Sequence, residues 1–160
     1  MLTPGQARAQ QVKLKTLNPQ QVETLEVLAE AMVPGSVELG VAHFIDHQIN
    51  ADPADCLLIA KYLQAPVPYA GFYSAGLKAA QAMAQRSAGK PLVRLEPASL
   101  EQLIREMSRP GAVFEDFPVF LFYLCLRSDA VDVVYGTPEG FKRLNVPYMQ
   151  HILPPENWDA

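Results

Sequence analysis

The stretch Asp116-Phe117-Pro118-Val119-Phe120-Leu121-Phe122-Tyr123-Leu124-Cys125-Leu126 decides the fold. From Val119 to Leu126 only Tyr123 carries a strongly polar group, so a helix here has no polar face for water. A helix that is apolar nearly all round belongs at the centre of a bundle. Asp116 is placed to cap it, and Pro118 is tolerated in a first turn, where its missing N–H has no intrahelical partner anyway. The run is too short to cross a bilayer, which takes about 18 or more apolar residues.

Five further helices are expected around it. Asn18 as a cap, Pro19 at the first helical position and Gln21 at the third open one helix. Val22, Leu25, Leu28, Ala29 and Met32 recur along it at helical spacing, and Pro34-Gly35 stops it. A second is expected over residues 39–50, with Val41, Phe44, Ile45 and Ile49 as its buried stripe. A third starts near Asp52-Pro53 and carries Leu57, Leu58 and Leu63. After the rigid connector Ala65-Pro66-Val67-Pro68, residues 69–84 form an alanine-rich helix suited to close packing. Residues 90–95 are extended at most, too short and isolated for a sheet. Ser99 and Gln102 read as a capping box for a fifth helix, with Leu100, Leu103, Ile104 and Met107 on one face. The expectation is an all-α single domain of about six helices.

Both ends read differently. Residues 1–16 are polar and without period, a flexible N-terminal arm; residues 17–160 form the domain. From Tyr135 on, helical signals fade into an irregular tail over 135–160, rich in proline and aromatic residues. Phe141, Tyr148, Ile152, Leu153 and Trp158 need burial, either against the bundle or against another protein.

At 160 residues the chain suits one domain that needs neither metal nor disulfide. It is 49% hydrophobic and only 19% charged, which implies either a tight core or spare apolar surface for a partner. The formal net charge of -4, without a Lys/Arg stripe, argues against nucleic-acid binding. Cys56 and Cys125 are the two cysteines, without metal-type spacing, and they leave the redox compartment open.

Candidate chemistry is sparse. His43 and His47, four apart on one helix face, have the spacing of a metal pair, but no HExxH and no third ligand accompany them. Cys125 with His151 is a conceivable nucleophile and base, but a thiol in the most apolar helix is disfavoured as a thiolate. Cys56, on a more amphipathic helix, is a candidate for exposure and pairing with a partner. The carboxylate pairs Glu115/Asp116 and Asp129/Asp132 sit at helix ends, where capping explains them. Gly136 to Gly140 lacks the spacing of a phosphate cradle, and no GxGxxG is present.

Three stretches, in order, resemble the gluconate 2-dehydrogenase subunit 3 family. The first runs from Leu17-Asn18-Pro19 to Ala29-Glu30-Ala31-Met32-Val33-Pro34-Gly35. The second is Gly40-Val41-Ala42-His43-Phe44-Ile45-Asp46. The third is Asp132-Val133-Val134-Tyr135-Gly136-Thr137-Pro138, continued by Val146-Pro147-Tyr148 and His151-Ile152-Leu153-Pro154-Pro155 up to Trp158. Tyr69 to Leu77 fits loosely. The resemblance implies a non-catalytic small subunit without a cofactor of its own. It implies a large partner that is an FAD-dependent sugar or polyol dehydrogenase of the glucose-methanol-choline type, and often a multihaem cytochrome c (haem c) as a third component. It further implies a role in maturation, twin-arginine export, and a periplasmic location with membrane contact only through the complex. No Arg-Arg pair precedes Leu17, so export rests on the resemblance. Tyr135, Phe141, Tyr148, Ile152, Leu153 and Trp158 are the expected partner contacts. The competing readings are a helical metal enzyme using His43 and His47, and a self-associating structural protein.

Overall fold

The computed structural model describes residues 2–145. They form eight helices: α1 (Pro4–Ala9), α2 (Pro19–Met32), α3 (Val41–Ile49), α4 (Ile59–Tyr62), α5 (Tyr69–Ala88), α6 (Pro97–Met107), α7 (Val119–Tyr135) and α8 (Pro138–Arg143). A 3-10 turn at Leu92–Arg94 separates α5 from α6, and no β-strand forms among the described residues. The all-α expectation holds; α1 and α8 exceed the six helices expected, and α4 is a single turn.

The central position of α7 is confirmed. It touches α2, α3, α4, α5, α6 and α8. Val119, Phe122, Leu126, Ala130 and Val133 recur three or four apart on its buried side. Its other side is only partly covered, with Phe120 and Leu124 half-buried. Against α7 lies α5, and Gly76 sets the approach. A Cβ there would sit 2.2 Å from the Phe122 ring, so any side chain would separate the helices. Phe72, Tyr73, Phe117 and Phe122 fill this contact with ring centroids 5.6 to 6.3 Å apart, mostly edge to face.

α2 starts as its sequence predicts. The Asn18 side chain accepts from the Gln21 N–H, the Gln21 side chain returns the bond, and Pro19 opens the helix. Its far end is held by Glu30. The Glu30 carboxylate accepts the N–H groups of Gly35 (2.8 Å) and Val37 (3.0 Å) and the Ser36 hydroxyl (3.4 Å). Burial pushes the Glu30 carboxyl up, but these three donors outweigh it and hold it below the usual range.

Five local expectations are corrected. The N-terminal arm contains regular structure: Thr3 and Gln6 form a capping box that starts α1 at Pro4. The helix expected from Asp52 is absent because Asp52 satisfies the backbone locally, its side chain taking the Ala54 N–H and its carbonyl the Asp55 N–H. The Ser99–Gln102 box does not form, because Pro97, with its φ already helical, starts α6 three residues earlier than a Ser99 cap allows. Asp116 does not cap α7. Glu115 and Asp116 both take positive φ in a tight turn closed by reciprocal Phe114–Phe117 backbone bonds of 2.9 Å, which leaves Pro118 as the cap. Helical structure also continues past Tyr135. Thr137 accepts the Gly140 N–H at 3.1 Å and starts α8, which folds back so closely that a Cβ on Gly140 would lie 2.5 Å from the Tyr135 Cα.

Candidate docking surface and the anchors beneath it

Residues 51–68 connect α3 to α5 and contain little helix. Two buried side chains hold this connector down. Gln48, on α3, accepts the Leu57 N–H at 2.8 Å, and Asp129, on α7, accepts the Ile59 N–H at 3.1 Å. Between these anchors Leu58 is fully buried, as are Cys56 and Ala60. The intervening residues point the other way. Leu57, Tyr62 and Val67 are 61%, 67% and 65% exposed, and Leu63 is also exposed. Single exposed apolar residues are ordinary, whereas four large ones within one short connector make a patch of the kind interfaces use.

The anchor on α7 is chemically unusual. Asp129 is fully buried and also accepts a hydrogen bond from the Tyr73 hydroxyl. Burial pushes its carboxyl up to about 7, against the bonds from Tyr73 and Ile59 that pull it down. Burial, then the Asp129 charge, drive the Tyr73 hydroxyl well above its ordinary value. The same two causes push the Cys125 thiol up to about 12, so it stays un-ionised near neutrality and is a poor nucleophile. Cys56 is fully buried, which removes it as a candidate for exposure and for pairing with a partner.

The remaining sequence candidates resolve as follows. His43 donates from Nε2 to the Val12 carbonyl at 3.0 Å, and His47 is exposed. Among the described residues no third His, Cys, Asp or Glu gathers with them, and the engaged Nε2 cannot also ligate a metal. Glu115 pairs with Arg86 at 2.6 Å on the surface. Asp132, pushed up by burial, stands one helical turn from Asp129 but shares no hydrogen bond with it. Gly136 ends α7 and Gly140 lies in α8. Of the expected partner contacts, Tyr135 is half-buried against the core and Phe141 is half-buried on α8. Tyr148, Ile152, Leu153 and Trp158 lie outside the described residues. The exposed connector was not singled out by sequence, because no local pattern separates Leu57 from the buried Leu58.

These features define an all-helical domain that keeps an apolar connector on its outside. A family model, gluconate 2-dehydrogenase subunit 3, matches residues 19–152, and the chain belongs to that family. No curated protein and no solved structure matches it. Two motifs behind the resemblance serve as scaffold here: Glu30 holds the Pro34-Gly35 turn, and Asp46 receives the backbone amides of Lys15 and Thr16 at the end of the arm and of Leu17 after it.

Proposed function

We propose that this chain is a non-catalytic accessory subunit that binds and stabilises an FAD-dependent sugar or polyol dehydrogenase of the glucose-methanol-choline type. In this reading FAD belongs to the large subunit, and haem c to a multihaem cytochrome c where a third subunit is present. The complex works in the periplasm and meets the membrane through its other subunits, and the small subunit assists maturation and export of the large one. Family membership supports the subunit role. The observation that carries docking is the exposed connector, whose apolar side chains are held outward while its backbone is secured by buried Gln48 and Asp129.

Co-purification with a co-expressed large dehydrogenase subunit tests this reading. Leu57→Asp with Tyr62→Asp is expected to weaken the complex by more than about tenfold, as removing central apolar anchors does. Truncation after Asn145 measures the share carried by Tyr148, Ile152, Leu153 and Trp158. A complex that survives both changes overturns the docking surface proposed here. Sedimentation of the purified chain addresses self-association: a stable homo-oligomer that the double substitution dissolves assigns the connector to a second copy instead.

A further inference from the structure

A cleft of about 580 Å³ lies between the N-terminal arm and α3. That volume falls within the roughly 300–1,000 Å³ that small-molecule sites occupy. Leu2, Val12 and Leu14 from the arm and Phe44 from α3 make its walls apolar. Leu2 and Val12 remain exposed there although the arm around them is held in place.

The charge in the cleft is one-sided. Lys13, Lys15 and His47 line it, and all three are exposed. The one carboxylate in the lining, Asp46, is 3% exposed, and its two oxygens accept the N–H groups of Lys15 (2.7 Å), Thr16 (2.9 Å) and Leu17 (2.8 Å). Its charge is therefore met by backbone donors, and no other acidic side chain lines the cleft to offset Lys13 and Lys15. His43 closes one wall. Its Nε2 is bonded to the Val12 carbonyl, and its Nδ1 is enclosed without a partner.

We propose that this cleft binds a small amphiphilic carboxylate, with its apolar body against Leu2, Val12, Leu14 and Phe44 and its anionic head among Lys13, Lys15 and His47. Apolar walls supply most of the contact area, and a few cations at the mouth choose the head group. The inference does not depend on what covers the connector.

The test is an NMR titration of the full chain with sodium decanoate below its micelle concentration, with decanamide as the uncharged control. Decanoate is expected to produce saturable shifts in the amides of residues 2–15 and 43–48 and in the His43 and His47 ring signals. Decanamide is expected to bind about tenfold more weakly, since it loses the attraction of the two exposed lysines. Lys13→Glu with Lys15→Glu is expected to weaken decanoate by about the same factor and to leave decanamide unchanged. Both lysine side chains are exposed, so the spectrum away from the arm checks that the fold is retained, and His47→Ala serves as a second variant. Four results overturn the proposal: no saturable shift, equal affinity for decanoate and decanamide, shifts confined to another part of the chain, or undiminished decanoate binding by the charge-reversed variant.

Discussion

The N-terminal arm and the 51–68 connector make an instructive pair. Neither is dominated by regular structure, and each contradicts the local reading of its sequence. The arm is polar and Gln-rich, yet it is ordered by α1 and by three amides on Asp46. The connector is rich in leucine, yet it forms only one helical turn and turns half of its apolar residues outward. In both, an acceptor on a neighbouring helix decides the path of the chain. The difference lies in the acceptors. Asp46 serves three backbone donors at the edge of the bundle, whereas Asp129 is sealed inside with Tyr73 and holds its proton up to about pH 7. Order without local periodicity therefore comes from buried acceptors on other elements.

The strongest way to break the comparison is Asp46→Ala. It strands three amides, and a loss of about 3–5 kcal/mol in urea unfolding is expected, with faster hydrogen exchange at residues 15–17. A stability change as small as that of a surface substitution would show that the arm is held by its apolar contacts instead.

Second in size is the pH response of the connector anchor. Unfolded, Asp129 releases its proton near 3.8; folded, near 7. The native state thus binds more protons across that window, and stability from this group is full below pH 3.8 and lost as pH rises through about 7. The slope is at most about 1.4 kcal/mol per pH unit. Asp129→Asn keeps an acceptor for Ile59 and removes the charge, so unfolding curves of this variant are expected to lack that slope and to match or exceed the parent in stability at pH 8. An unchanged slope would assign it to other groups, Asp132 first.

Gly40→Ala sharpens the account of the arm. Gly40 has φ +82°, and a Cβ there would sit 2.3 Å from the Pro4 carbonyl oxygen. A loss of about 1–3 kcal/mol is expected, read by thermal unfolding, with α1 released from α3. Smallest is the stability effect of Leu57→Asp, expected within about 0.5 kcal/mol because the side chain is already in water. A larger loss would mean that Leu57 belongs to the core.

Much of the fold was legible because its signals are local. The Asn18–Pro19–Gln21 start, the Pro34-Gly35 stop and the apolar run of α7 each state their structure within a few residues. The misreadings share a cause. Asp116 and Ser99 are good caps by type, but the Phe114–Phe117 turn and Pro97 pre-empt them. Thr137-Pro138 carried the N-terminal signature of α8 and was hidden by the glycines around it. The exposed connector was the least legible part. Whether Leu57 or Leu58 faces water depends on Gln48 and Asp129, which lie nine residues before one and seventy after Ile59, and no periodicity encodes such a pairing.

Because the connector's main chain terminates on Gln48 and Asp129, its outward side chains answer to no folding constraint. Leu57, Tyr62 and Val67 are exposed lettering that can be rewritten while the scaffold beneath it stands. If the connector docks as proposed above, edits to three or four side chains are enough to follow changes in the companion's surface, or to retarget the chain in the laboratory.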